Sequence, residues 1–116
     1  MTRLTWLALS LLVSFPLAAG DAFSEERQRE LRNLLIQDCG SCHGLTMRGG
    51  LGPALRPENL QGKPRDYLAS VILEGRPGTA MPGWRPLLSA DEARWMAERL
   101  LEGDISEGDI IEGERQ

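Results

Sequence analysis

The chain has 116 residues, a formal net charge of −4 and only six aromatic side chains, three Trp, two Phe and one Tyr. One small domain is the ceiling at this length, which excludes a two-domain enzyme, a TIM barrel and a complete dinucleotide-binding fold. With a removable leader set aside, Phe23, Tyr67, Trp84 and Trp95 are the only aromatics left to fill an interior. So small a core points to a prosthetic group or metal as part of the interior.

Residues 1–20 read as a secretory signal: one cation at Arg3, an aliphatic run from Leu4 to Val13, then Pro16-Leu17-Ala18-Ala19-Gly20. Ala18 and Gly20 predict cleavage before Asp21, with a second site before Phe23. The apolar run is too short for a membrane anchor, which needs about 20 residues. The mature protein is therefore expected to be exported without lasting membrane insertion, into the periplasm if the source is a Gram-negative bacterium.

The mature domain is assigned to residues 21–102. Ser24 predicts the N-cap of a first helix, with Glu25 and Glu26 in its first turn, Leu31, Leu34, Leu35 and Asp38 at helical spacing and an end near Cys39-Gly40. Residues 44–86 then hold eight Gly and six Pro, too many for continuous helix or sheet, so the backbone there must wind around something. A short turn at Pro57 to Leu60 and one helix interrupt it; that helix has Pro64 at its first position, an apolar stripe of Tyr67, Leu68, Val71 and Ile72, and Gly75 after its last turn. Ser89-Ala90-Asp91-Glu92 is a capping box opening the last helix, whose buried face carries Trp95, Met96 and Leu100 and which stops at Gly103. No alternating strand pattern occurs, so the domain is expected to be all-α.

Residues 103–116 form an acidic tail in which Glu102-Gly103-Asp104-Ile105, Glu107-Gly108-Asp109-Ile110 and Glu112-Gly113-Glu114-Arg115 repeat every five residues. Such composition predicts disorder, and the acid spacing does not match an EF-hand loop. Apart from this tail and Arg3, acids and bases balance, and no basic patch dense enough for nucleic acid is present. Within residues 44–88, however, Arg48, Arg56, Lys63, Arg65, Arg76 and Arg85 outnumber Glu58, Asp66 and Glu74.

Cys39-Gly40-Ser41-Cys42-His43 decides the chemistry, because Cys-x-x-Cys-His is the attachment pattern for c-type haem. Helical positions i and i+3 share a face, so both thiols reach the two vinyl groups of one porphyrin and His43 lies beneath the iron. One haem c, tethered through Cys39 and Cys42, is the expected cofactor. A thiol oxidoreductase uses the same Cys spacing but belongs with a strand-containing fold. Structural zinc lacks ligands, since His43 is the only histidine. That single histidine also excludes bis-histidine ligation within one chain and leaves methionine as the second ligand. Met1 leaves with the signal, Met47 stays on the His43 side, and Met96 belongs to a core stripe. Met81, in the loop Pro77-Gly78-Thr79-Ala80-Met81-Pro82-Gly83-Trp84, is the remaining candidate.

Over residues 24–102 the sequence resembles a class I cytochrome c. The haem motif, the following Gly52-Pro53-Ala54-Leu55 and the late Met81-Pro82 occur in that family's order. The resemblance implies short helices wrapped around one haem, with the first and last helices crossing. It also implies that the Pro53 carbonyl accepts a hydrogen bond from the free ring nitrogen of His43. Asp38 to Gly44, Arg48 to Leu55, Gly75-Arg76-Pro77-Gly78 and Met81-Pro82 look more specifically like the small cytochromes encoded with cytochrome cd1 nitrite reductase, the NirC or cytochrome c55x type.

With His43 and Met81 as axial ligands the iron has no vacant position, which predicts a monomeric electron carrier and not an enzyme. One haem edge must then reach the surface, framed by residues such as Leu45, Met47, Ala80 and Pro82. Arg48 and Arg76 are candidates to pair with the haem propionates, the Trp84 indole is a candidate donor to the same groups, and the other use of the surplus cations is to steer an acidic partner. The resemblance implies cytochrome cd1 nitrite reductase, or the factors that assemble its haem d1, as that partner.

Overall fold

The computed structural model describes residues 22–105. The expected signal at residues 1–20 and the tail beyond Ile105 lie outside the described residues. The described residues contain helices and loops and no strand, in the order α1 (Glu25–Leu34), a π-helical turn (Leu35–Cys39), α2 (Gly40–His43), α3 (Pro57–Leu60), α4 (Arg65–Glu74) and α5 (Ala90–Glu102).

α1 starts where Ser24 Oγ accepts the Arg27 N–H at 3.2 Å. It does not end near Cys39-Gly40 as the spacing predicts; the helical path runs through the π turn into α2 and stops at Gly44, whose φ of +88° breaks it. In the π turn the Gly40 N–H bonds to Leu35 O, five residues back. Gly40 therefore stacks over Leu35, where a plain α-helix would place Cys39. One helical position is about 100° of rotation. Without the extra residue, Cys39 and Cys42 would continue the buried row of Leu31 and Leu35. With it, Gly40 is buried in that row, Cys39 is half-buried and Cys42 is exposed.

α5 is the hub, packing on α4, α3 and α1, and it buries Ala93, Trp95, Met96, Ala97 and Leu100. Its capping box is complete: Ser89 Oγ accepts the Glu92 N–H at 3.1 Å and Glu92 Oε2 accepts the Ser89 N–H at 2.8 Å. Gly103, at φ +71° and ψ +24°, supplies the left-handed stop. The α1–α5 contact joins an edge-to-face Phe23–Trp95 pair, centroids 6.5 Å apart, to an ion pair of Arg27 Nε with Glu92 Oε1 at 2.7 Å.

Arg27 holds the Glu92 carboxyl below the usual carboxylate range, and the Ser89 N–H adds to the effect. A carboxyl depressed on folding stabilises above its unfolded value, about 4.3, and that contribution is lost as pH falls through the lower folded value. Glu92→Gln keeps the capping box but removes the charge. It should cost about 0.5–1 kcal/mol at neutral pH and flatten the acid limb of thermal stability. An unchanged acid limb in pH-dependent melting would show that Arg27 and Glu92 do not couple.

Two sequence expectations for α4 are corrected. Pro64, at ψ 147°, is extended and forms the N-cap, so the first helical residue is Arg65. The buried face is Leu68, Ala69, Ile72 and Leu73, one position round from the expected stripe. Tyr67 is carried to the surface, where its hydroxyl accepts an Arg76 N–H at 3.3 Å, and Ala69, too small to mark a hydropathy stripe, takes the inner place.

The folded body also continues two residues past Gly103. Asp104 Oδ2 pairs with Arg32 Nη2 at 2.6 Å, Arg32 Nη1 donates to Asp104 O at 2.7 Å, and Ile105 is buried. The Arg32 and Arg99 guanidiniums lie 5.6 and 5.4 Å from the Trp95 ring centroid, so Asp104, paired with Arg32, helps tie α1 to α5.

Candidate haem site

α2 ends at His43, and the next eleven residues fold back beneath it. Gly49 N–H bonds to His43 O at 2.7 Å and Gly52 N–H to Cys42 O at 2.8 Å, which brings Pro53 O to 2.7 Å from His43 Nδ1. A carbonyl only accepts, so Nδ1 carries the proton in this contact and Nε2 keeps its lone pair for a metal. Gly52 is required by space: a Cβ there would stand 2.7 Å from His43 Cε1 and 2.8 Å from Nδ1. The ring is thus held between a fixed acceptor and bare backbone.

Cys39 and Cys42 lie on the same helical run and are not joined to each other by a disulfide. Burial pushes the Cys39 thiol up to about 11, and the Asp38 carboxylate adds to this. A thiol–disulfide catalyst needs the opposite, a first cysteine that ionises readily. The donor set suits addition of two thiols to the vinyl groups of a porphyrin, with one imidazole nitrogen free beside them. These residues fit a covalently held haem.

The second loop is built on the end of α4. Gly75, at φ +69°, turns the chain where a Cβ would meet Met81 O at 2.6 Å, and Arg76 N–H closes the loop on Met81 O at 3.2 Å. Thr79 Oγ1 donates to Arg76 O at 2.6 Å and accepts the Met81 N–H at 3.3 Å, while Trp84 N–H returns to Ile72 O at 3.0 Å. Met81 is half-buried in this braced loop, and Trp84 is half-buried against the core.

The structure thus gathers Cys39, Cys42, His43 and Pro53 on one segment and Arg76, Met81 and Trp84 on another. Arg48 is exposed on the first loop and forms no ion pair with the described residues, and Arg76 is engaged with Tyr67. Met47 does not frame a surface edge: it is 2 % exposed, its side chain in the core and its φ at +58°. Burial of the thioether side chain offsets a left-handed backbone that costs on the order of 1–2 kcal/mol. The sequence names Gly52 only within Gly52-Pro53-Ala54-Leu55, with no sign of its packing under His43, and it carries no signal for the π turn.

A family model described as "Cytochrome C oxidase, cbb3-type, subunit III" matches residues 26–98. Cytochrome c55X of Pseudomonas aeruginosa is 55% identical over 103 residues, 87% of this chain and 87% of that protein. A solved c-type cytochrome NirC is 60% identical with a TM-score of 0.70, covering 72% of this chain and 99% of that one. The chain belongs to the c-type cytochromes of the cytochrome c55X and NirC family. This cytochrome therefore has the all-α class I fold, and its cofactor is haem c attached through Cys39 and Cys42. It is also 42% identical, over 82 residues, to part of the dihydro-heme d1 dehydrogenase of Pseudomonas aeruginosa; the match covers 71% of this chain and 15% of that protein. No helix among the described residues is long and apolar enough to cross a membrane.

Proposed function

We propose that this protein is an exported, monomeric one-electron carrier of nitrite respiration that donates to cytochrome cd1 nitrite reductase. The observation that carries the carrier role is the locked His43 ring, with Nδ1 committed to Pro53 O and Nε2 left as the single ligating atom. Haem c supplies a one-electron iron couple. With haem c bound, His43 Nε2 and the sulfur of Met81, on its braced loop, would be the two protein atoms that hold the iron, which would leave no site for a substrate. Met81 sulfur as a ligand would favour the ferrous state. Arg48, Arg76 and the Trp84 indole serve the propionates, and Arg76 reaches them by exchanging its bond to Tyr67. The leader read at residues 1–20 supports export, with the periplasm as destination if the source is a Gram-negative bacterium.

Met81→Ala should abolish the iron–sulfur absorption band and admit carbon monoxide to the ferrous protein. Retention of the band would assign the second ligand elsewhere. The pathway is tested by stopped-flow mixing of the reduced holoprotein with oxidised cytochrome cd1: rapid, saturable oxidation is expected, and no exchange above buffer would reject this partner.

A second reading is favoured by the likeness to part of a dihydro-heme d1 dehydrogenase. A dehydrogenase of that kind removes two electrons from its substrate, and a one-electron carrier accepts them singly. In this reading the protein serves haem d1 formation. Gene deletion separates the two: nitrite reductase lacking haem d1 indicates assembly, and intact reductase with slowed turnover indicates electron supply.

A further inference from the structure

The loop that carries Met81 leaves α4 and returns to it at the same point. Gly75 follows the last residue of α4, and Gly83 follows Met81-Pro82 on the way back. A Cβ at Gly75 would stand 2.6 Å from Met81 O, 2.6 Å from the carbonyl carbon of Pro82 and 2.7 Å from Gly83 N. A Cβ at Gly83 would stand 2.7 Å from Leu73 O and 3.0 Å from Glu74 O. Each of these neighbours is a backbone atom, so no side-chain movement relieves the contact. The two arms of the loop therefore cross backbone on backbone. Hydrogen bonds lock the crossing, with Trp84 N–H on Ile72 O at 3.0 Å and Arg85 N–H on Leu73 O at 3.2 Å. The returning arm thus pairs carbonyls that the end of α4 would otherwise leave open.

The glycines of this loop answer to different needs. Gly75 requires both space and a left-handed backbone, at φ +69°. Gly78 requires the backbone alone: its φ is +79°, and a Cβ there would meet nothing within 4 Å. Gly83 requires the space alone, because its φ lies outside the left-handed region. Between Gly83 and Met81 stands only Pro82, whose ring fixes φ, so a displacement at Gly83 passes to Met81 with little loss.

We propose that Gly83 is the residue that positions Met81: its bare crossing over the end of α4 sets where the Met81 sulfur stands. The inference rests on the reading of Met81 as the second ligand of the iron. It deepens that reading by separating the residue that binds from the residue that aims it. Alanine at Gly83 must lift the returning arm off Leu73 O by roughly half an ångström or more, since carbon and carbonyl oxygen settle about 3.3–3.6 Å apart. Sulfur holds ferrous iron better than ferric, so the ferric protein gives up the displaced sulfur first. The oxidised form is then relieved of a strain that the reduced form keeps, and the reduction potential falls.

The test compares wild-type holoprotein with Gly83→Ala and Gly78→Ala in four measurements: the iron–sulfur absorption band, carbon monoxide binding to the ferrous form, reduction potential and denaturation midpoint. Gly83→Ala should lose about half or more of the band, bind carbon monoxide about tenfold faster and show a lower potential. Gly78→Ala, strained but unobstructed, should lower the midpoint and leave the other three at wild-type values. Pro82→Gly adds no bulk and removes the stiff link; on heating, its band should vanish before the helices melt, whereas in wild type the two coincide. This variant carries the test if Gly83→Ala attaches no haem. A wild-type protein without the band would refute the reading of Met81 itself. With the band present in wild type, three results would each overturn Gly83 as the positioning residue: its full retention in Gly83→Ala, an equal loss in Gly78→Ala, or coincident loss of band and helix in Pro82→Gly.

Discussion

Alanine at Gly52 is expected to disturb the proposed ligation of the iron by His43 without unfolding the protein. The added methyl carbon would lie 2.7 Å from Cε1 and 2.8 Å from Nδ1, closer than carbon and nitrogen tolerate. The backbone cannot yield freely, because the Gly52 N–H is tied to Cys42 O at 2.8 Å. The ring must move, and moving it strains the 2.7 Å contact of Nδ1 with Pro53 O. Overpacking of this kind costs about 1–3 kcal/mol. The haem stays anchored through Cys39 and Cys42, so the displacement would be absorbed at the proposed contact of His43 with the iron. The expected result is a high-spin contribution in the ferric spectrum and a shifted reduction potential. Pro53→Ala is the contrasting variant, since it keeps the carbonyl and hence the acceptor, and should leave both properties near wild type. A Gly52→Ala protein with the wild-type spectrum and potential would show that the imidazole is positioned by something else.

Features governed by local chemistry were legible in the sequence. Ser24, the Ser89 to Glu92 capping box, Gly75 and Gly103 act through backbone bonds and turns within a few residues of themselves, and the structure has each where its type predicts. The attachment motif was equally plain, because two thiols and an imidazole at fixed spacing have few other uses. What escaped was set by contacts distant in sequence. The π turn lets Leu35, Ile36 and Gly40 be buried together, where an unbroken α register would stack Cys39 over Leu35. The rotation of α4 depends on its packing against α5. Met47 reads as a loop residue until the fold of residues 44–55 turns it inward. Asp104 looks like tail composition until Arg32 and Arg99 are brought beside it by the crossing of α1 and α5.

Leu35→Ala should produce the largest loss of stability among single core substitutions near the site. Leu35 is 0% exposed and opens the π turn, and its carbonyl accepts the Gly40 N–H. Truncating a buried leucine costs about 2–5 kcal/mol, the lost transfer energy plus the cavity left behind. A domain this small has only about 5 kcal/mol to lose before haem is counted. The cavity would open directly beneath Gly40, removing the packing that makes the π register preferable to a plain α-helix. Two effects should therefore appear together: a lower denaturation midpoint of the holoprotein and a smaller fraction of chains carrying covalent haem after expression in an exporting host. Leu35→Met, which nearly conserves volume, should cost less than about 1.5 kcal/mol and restore attachment. Leu34→Ala, at a half-buried position, should lower the midpoint less and leave attachment unchanged. Should Leu35→Ala lower stability while haem attachment stays complete, the π turn would be a packing feature with no part in presenting Cys39 and Cys42. Loss of attachment in Leu35→Ala and its recovery in Leu35→Met would instead tie the extra residue of the helix to the chemistry at its end.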